Sequence, residues 1–154
     1  MSMIQVHEAR DQILSKIKFK GVEKVSLDQA LGRVLVEDVI SQINNPPLDN
    51  SAMDGYALVA SDIKSATPEN PVQLEVVEEI AAGYTAKGTL KPGQAMRIMT
   101  GAPIPSGANA VLMQEDTEKK GSSIFCLDKA DDQENIREAG EDVKVGETIL
   151  KKGT

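Results

Sequence analysis

Polar residues in three predicted turns of this sequence are the best placed to do chemistry, because each turn contains a glycine beside them. They are Asp54, Thr100 and the carboxylate pair Glu141-Asp142. Glycine lets a backbone approach a ligand closely, and loop residues at strand ends often carry function. Carboxylates hold hydrated Mg²⁺ or orient water, and a hydroxyl donates to an oxyanion. On the residues alone, the pattern favours a strand cap for Thr100 and a turn carboxylate for Asp142, so a structural role stays open.

Asp54 belongs to a polar stretch, residues 48–57 (LDNSAMDGYA), which follows Pro46-Pro47 and leads into an apolar run. Proline fixes φ, and Asp, Asn, Ser and Gly favour turns and caps. We therefore predict a shaped loop that enters a strand. Its two carboxylates, carboxamide, hydroxyl and phenol are more polar chemistry than a chain reversal needs, although Asp-Gly alone is typical of any hairpin.

The familiar catalytic motifs are missing from the sequence. It contains no nucleophile elbow, HExxH, paired cysteines, GxGxxG or phosphate loop ending in Gly-Lys-Ser/Thr. This stretch of chain therefore has no complete catalytic set of its own.

The composition excludes two classes of partner. The net charge is −7, with 17 basic and 24 acidic residues, and no basic patch indicates nucleic-acid binding. No apolar run is long enough to span a bilayer, and no signal pattern opens the chain, so we expect a soluble, cytoplasmic protein.

His7 lacks partners for a metal site and is predicted to lie at the surface. The single Cys126 is predicted to be a buried strand residue.

The first elements that position these residues are helical. The spacing of apolar residues predicts an amphipathic helix over Met3–Lys18, for which Ser2 and Gln5 have capping-box spacing. A second short helix is predicted between Ser26, as N-cap, and Gly32. Val34–Ile40 alternates as a strand does, and a domain boundary is predicted after Asn44.

The rest of the chain is predicted to be strand and turn. In Val72–Ile80, the residues Val72, Leu74, Val76 and Ile80 are predicted to share one face. Further strands are predicted at Ala95–Thr100, Ala110–Gln114, Ser123–Leu127 and near Ile149. Asp116–Ser122 is predicted to be a hairpin loop, and Asp131–Glu134 a solvated linker.

Four stretches in order resemble the motifs of one family. Asp49–Ala57 is similar, almost residue for residue, to the signature loop of the MoeA family, the molybdopterin molybdenumtransferases that include the E domain of gephyrin. Arg97–Pro105, Ala110–Glu115 and Ile136–Asp142 resemble the next three motifs of that family. The resemblance covers essentially the whole chain, yet proteins of this family are much longer.

The resemblance implies an α+β, mostly β fold: an elongated, two-lobed N-terminal fragment with a β-rich domain inserted into a small α/β domain. The first domain is expected at 1–44 and 141–154, and the inserted domain at 45–140. The molybdopterin-binding catalytic domain and the C-terminal domain would be absent from this chain.

The resemblance also implies an activity. The family inserts molybdenum from molybdate into adenylylated molybdopterin and releases AMP, with Mg²⁺ as cofactor and with both substrates bound mainly by the absent domain. The implied partners are a second copy of the full-length protein, as a homodimer, together with molybdopterin adenylyltransferase and other cofactor-biosynthesis proteins. The chain alone is expected to be inactive.

The residues that match the family's cleft are Asp54, Thr100 and Asp142, which the resemblance implies to be catalytic. Ser51, Asp49, Gly101 and Glu141 are the implied cofactor-binding residues. The metal is left open, with Asp54 and Asp142 as the candidate ligands. A rival hypothesis makes the chain a structural dimerisation or protein-interaction module, in which the motif loops only shape the fold.

Overall fold

The computed structural model describes residues 3–18 and 21–154, which separate into two compact units. The first unit runs to Asp38 and also takes in Leu150–Thr154, whereas the second is Val39–Ile149. None of the helices in the described residues is long and apolar enough to cross a membrane.

The limits of the second unit differ from the predicted inserted domain, 45–140, because the flanking segments bond to each other. The Ser41 N–H donates to the Glu147 carbonyl at 2.8 Å, and the Ser41 carbonyl accepts from Gly146 at 2.8 Å. Asn45 likewise donates to the carbonyl of Val143 at 2.8 Å. We call these two flanking segments, 39–45 and 143–149, the stem. Whether the predicted limits describe independent domains stays a prediction.

The first unit contains one helix, α1 (Val6–Lys16), and a single 3₁₀ turn, Leu27–Gln29. The Gln5 N–H donates to the Glu8 carboxylate at 3.3 Å, which caps the start of α1, and the predicted cap Ser2 lies outside the described residues. No residue of α1 is buried, and its apolar side chains, such as Val6 at 87% exposure, face solvent. His7 is exposed, as predicted.

Two predictions in this unit are wrong. The segment after Ser26 forms only the 3₁₀ turn, because so short a helix needs packing that this turn, which buries no residue, does not have. The predicted strand Val34–Ile40 is reduced to β1 (Val39–Ile40), since the chain bends at Val36-Glu37. Leu35 instead exchanges main-chain bonds with the segment 153–154.

The second unit is built from strands, which confirms the mostly β prediction. After β1 come β2 (Asn50–Ser51), β3 (Gly55–Leu58), β4 (Val72–Ile80), β5 (Gln94–Ile98), β6 (Ala110–Met113), β7 (Thr117–Lys120), β8 (Ser123–Cys126), β9 (Ile136–Arg137) and β10 (Thr148–Leu150). Two 3₁₀ turns, Ala60–Ile63 and Gln114–Asp116, connect them. Six strands form one sheet in the order β6-β3-β5-β4-β8-β7, in which only β4 and β5 run parallel. Two small pairs, β1 with β10 and β2 with β9, complete the strands.

Aliphatic side chains pack on both faces of this sheet. One core contains Leu58, Ile63, Leu74, Ile124 and Cys126, and the other contains Ile80, Met96, Ile98 and Val111. Cys126 is fully buried, which confirms the prediction for it. The prediction that Ile80 shares a face with Leu74 is wrong, because a β-bulge between Val76 and Glu78 shifts the register and carries Ile80 to the opposite core.

Two predicted loops are also ordered structure. Thr117–Lys120 is the edge strand β7 paired with β8, and the loop prediction failed because a charged edge strand has no apolar face to signal it. The segment 131–135 is bonded to the β6 side of the sheet rather than being a free linker. Asp132 accepts from the Asn109 carboxamide at 2.6 Å, and Val111 donates to the Glu134 carbonyl at 3.0 Å.

Candidate functional site

Asp54 and Thr100 are in direct contact, although 46 residues separate them in the sequence. Oδ1 of Asp54 accepts two hydrogen bonds from Thr100, one from the main-chain N–H at 2.8 Å and one from Oγ1–H at 2.9 Å. Both side chains are exposed. An exposed carboxylate is therefore held in one orientation by a single residue of another loop.

The sheet brings these two residues together. β3 begins directly after Asp54 and β5 ends directly before Met99-Thr100, and the two strands pair antiparallel with Gly55 opposite Ile98. On its other side β3 pairs with β6, and Gly55 is required for that approach, since a Cβ at this position would lie 2.1 Å from the main-chain oxygen of Leu112 on β6. The predicted turn glycine is thus a packing glycine as well.

The loop before Asp54 is fixed by buried bonds. Ser51 is fully buried, and its hydroxyl donates to the Met53 carbonyl at 2.6 Å. The Ser51 carbonyl accepts from Gly101 at 2.8 Å, where Gly101 has a φ of +80° that a glycine adopts without strain. Ser51 and Gly101 therefore support the Asp54–Thr100 contact through the backbone.

The bonds from Thr100 favour the ionised form of Asp54. They lower the pKa of this carboxyl below its usual 3.8, chiefly through the Thr100 main-chain N–H and then its hydroxyl, with a smaller contribution from the charge of Arg97. At neutral pH, Asp54 is a carboxylate that accepts hydrogen bonds or cations and does not donate a proton.

Asp142 and Glu141 belong to a second group of side chains. Asp142 accepts from the Arg137 guanidinium at 3.0 Å, and Glu141 lies 3.5 Å from the same group. Asp142 also contacts the Asn45 carboxamide at 3.4 Å. These carboxylates, Asp142 first, raise the pKa of Arg137. No hydrogen bond within the described part of the chain joins this group to Asp54 or Thr100.

The backbone connects the two groups. Asp49 accepts from the Ala139 N–H at 2.7 Å, and β2 pairs with β9 so that Asn50 faces Arg137. The Gln114 N–H donates to the Asp54 carbonyl at 3.1 Å. All four motifs thus meet at the loop 48–57, although the carboxylates of Asp54 and Asp142 keep different partners.

Sequence reasoning missed Arg97 and Arg137. Arg97 donates to the Gly55 carbonyl at 2.8 Å and to the Gln114 side chain at 2.6 Å. The signal for both residues was their place in two motifs, where Arg97 opens one and Arg137 is second in the other. Nothing in the sequence around the two arginines indicates which acceptors their guanidinium groups bind, because those acceptors come from other strands and loops.

The hypothesis of a metal site requires several ligand side chains close together. Across residues 3–18 and 21–154, no three His, Cys, Asp or Glu side chains form a group able to hold a metal ion. Asp142 is already paired with Arg137, whereas Asp54 retains an exposed carboxylate. The described residues thus contain no group of three such ligands and do not form a complete metal site by themselves.

Comparison with known proteins gives consistent matches. The family described as MoeA N-terminal region (domain I and II) matches residues 4–154. A molybdopterin molybdenumtransferase of Bacillus subtilis is 41% identical over 98% of this chain and 36% of its own length. Molybdopterin molybdenumtransferase 2 of Mycobacterium tuberculosis is 48% identical over 84% of this chain and 32% of its own.

A solved structure agrees with these matches. The crystal structure of the molybdopterin biosynthesis moeA protein from Pyrococcus horikoshii OT3 superposes with a TM-score of 0.91 at 42% identity, over 98% of this chain and 40% of that chain. The chain spans about a third of the length of the curated relatives that it matches.

Proposed function

We propose, from the premise that this chain belongs to the MoeA family as its N-terminal region, that it forms part of an enzyme of molybdenum cofactor biosynthesis. The whole protein inserts molybdenum from molybdate into adenylylated molybdopterin and releases AMP. The observation that carries this proposal is the family match along residues 4–154, joined to the meeting of all four motifs at the loop that presents Asp54.

In this proposal Asp54 acts as an ionised acceptor. Both bonds from Thr100 end on Oδ1, so Oδ2 is the oxygen available to a ligand. A carboxylate held in this way orients a water molecule or a ligand donor without first losing rotational freedom. Thr100 fixes the direction of the carboxylate, and the buried Ser51 fixes the loop that carries it.

Mg²⁺ enters the proposal only as an ion that the rest of the protein and the substrate complete. Mg²⁺ keeps several waters and is commonly bound by one or two carboxylates together with substrate phosphates. Asp54 fits the role of one such carboxylate, because it is exposed and ionised. The salt bridge of Asp142 to Arg137 makes Asp142 a poorer ligand.

Partners and location are part of the same proposal. We place the full-length protein in the cytoplasm as a homodimer that works beside molybdopterin adenylyltransferase. The apolar side chains exposed in the first unit, such as Leu31 at 97%, support the presence of a further packing surface. The same exposure is the observation in favour of the rival interaction module, in which Asp54 would be a turn cap alone.

The substitution Asp54→Asn in the full-length protein separates these alternatives. Asn keeps the size of Asp and one acceptor for Thr100 but loses the charge, so we expect insertion of molybdenum to fall by about tenfold or more with the fold retained. The measurement is the rate of molybdenum insertion into adenylylated molybdopterin by purified protein, with thermal melts alongside.

Asp62→Asn is the matched control. Asp62 accepts a main-chain bond from Gly93 at 2.7 Å, which resembles the bond from Thr100 to Asp54, but it lies outside the four motifs. We expect this variant to retain insertion activity. Wild-type activity in Asp54→Asn, or equal loss in both variants, would return Asp54 to the role of a turn cap.

A further inference from the structure

Arg97 contacts several groups around Asp54, although no sequence motif predicted these contacts. We call residues 53–55 the Asp54 turn. The side chain of Arg97 is half-buried on β5, opposite Tyr56 in the pairing of β3 with β5. The guanidinium lies 5.2 Å from the centre of the Tyr56 ring, within the range of a cation–π contact. The ring therefore supports the guanidinium from one side. The N–H groups of Arg97 remain available to hydrogen-bond acceptors.

The hydrogen bonds of this guanidinium reach the residue after Asp54 and the residue that bonds the Asp54 carbonyl. Nη1 donates to the carbonyl of Gly55, the residue after Asp54, at 2.8 Å. Nη2 donates to Oε1 of Gln114 at 2.6 Å, and the Gln114 main-chain N–H donates in turn to the Asp54 carbonyl at 3.1 Å. One side chain thus joins the strand that follows Asp54 to the residue that holds the Asp54 backbone.

We infer that Arg97 is a positioning residue for the proposed reaction, holding the Asp54 turn against Gln114 so that the carboxylate keeps its direction. The inference rests on the proposed function for its activity readout. Thr100 fixes the carboxylate itself, whereas Arg97 fixes the backbone beneath it, so the two residues act on different atoms of Asp54.

Lysine is a poor substitute for this arrangement. A guanidinium is a planar fork that bonds two acceptors at once while it stacks on an aromatic ring, whereas an ammonium is a compact, strongly hydrated charge. Arg97→Lys therefore keeps the charge near Asp54 and loses the clamp. Arg97→Gln loses both.

The main test is a double-mutant comparison in the full-length protein. We expect Arg97→Gln to lower kcat for molybdenum insertion by about tenfold, with a smaller change in KM, because misdirection of a reacting group mainly affects the chemical step. If Arg97 acts through Asp54, the double variant Arg97→Gln/Asp54→Asn will be as slow as Asp54→Asn alone, within about threefold. Losses that multiply would overturn the inference.

Arg10→Gln is the matched control, since Arg10 is exposed on α1 and pairs only with its neighbour Asp11, at 2.9 Å, among the described residues. We expect no change in kcat for this variant. If Arg10→Gln loses as much activity as Arg97→Gln, the effect belongs to charge in general and the inference fails.

A second readout needs no activity. The Thr100 N–H donates to Asp54, so its hydrogen exchange in ¹⁵N-labelled full-length protein reports how firmly that bond is held. We expect exchange at Thr100 to be faster in Arg97→Gln and in Arg97→Lys, since both lose the clamp, and unchanged in Arg10→Gln. Unchanged exchange in Arg97→Gln would refute the positioning role even in a protein that shows no insertion activity. Absence of activity in the wild type, in contrast, counts against the proposed function alone.

If Arg97→Gln does not fold, the variants Arg97→Lys and Gln114→Ala test the positioning role of Arg97. Gln114→Ala removes the Oε1 acceptor but keeps the main-chain bond to Asp54. We expect each of these variants to lower kcat by at least about threefold, since each breaks one arm of the clamp. Wild-type kcat together with wild-type hydrogen exchange at the Thr100 amide in both would overturn the inference.

Discussion

The ionisation of Asp54 gives the chain a defined pH response. Because Thr100 lowers the pKa of this carboxyl below 3.8, the folded state favours the charged form. The stabilisation is complete above the unfolded pKa and is lost as pH falls through the lowered folded value. We expect wild type to melt above Asp54→Asn at pH 7, and the gap to close as pH falls below about 4. A gap that stays constant from pH 7 to pH 2 in thermal melts would show that the charge is not what Thr100 stabilises.

Cys126 is predicted to be chemically silent in the folded protein. Burial raises the pKa of its thiol to about 12, and only the thiolate is a nucleophile. We expect no reaction with a thiol reagent at pH 8 until urea unfolds the chain. Because Cys126 is the one cysteine of the sequence, the absorbance change of a chromogenic thiol reagent reports this site alone. Rapid labelling of the folded protein would contradict its burial in the sheet.

At the level of residues, the sequence drew attention to candidate side chains but did not predict their partners. Asp54 and Thr100 stood out because each precedes a glycine within a motif. Their contact, and the pairing of Asp142 with Arg137 instead, depend on which loops the sheet places side by side. Arg97 was missed because the role of a guanidinium is set by the acceptors around it, and Gly55 and Gln114 reach it only after β3, β5 and β6 have assembled.

Among the elements, the contact of β3 with β6 leaves no room for one added carbon atom at Gly55. Gly55→Ala would place a Cβ 2.1 Å from the Leu112 main-chain oxygen, so the strands must move apart. We expect a loss of about 1–3 kcal/mol or more in the free energy of unfolding, as for an overpacked core. Urea denaturation measures this loss.

Gly88→Ala is the control for that substitution. A Cβ at Gly88 meets no atom within 4 Å, and its φ lies outside the left-handed region. We expect stability to be unchanged or slightly increased. A similar loss in both variants would mean that backbone freedom, and not the close approach of the strands, explains the effect at Gly55.

The sequence predicted those strands well whose own residues show alternating or continuous apolar character. β4, β5, β6 and β8 were found from alternation or a continuous apolar run. The bulge in β4 was not predicted, because it is visible only in the register with β5. β7 was missed because strand pairing, not an apolar face, holds it. Val34–Val36 alternates like a strand, yet its backbone bends before it can form a ladder.

For the molecule as a whole, the two units should differ in resistance to proteolysis. α1 buries no side chain, whereas the second unit contains both cores. Segments with few buried contacts open at low free-energy cost. We expect trypsin to cut this chain first at Arg10 and Lys16, which mass spectrometry of a time course will show. Lys119 and Lys120 are the internal comparison, since they are exposed but held in β7. Earlier cleavage there would contradict the expected order.

The stem determines how the second unit bears a mechanical load. The segments 39–45 and 143–149 enter and leave it bonded to each other through Ser41, Glu147, Gly146, Asn45 and Val143. A force that pulls these two ends apart acts along their hydrogen bonds and breaks them one after another, starting at the ends. The six-stranded sheet carries no tension until the last of these bonds has opened. Under stretching, we therefore expect the unit to open first at its base, with the motif loops still assembled when the last of these bonds breaks.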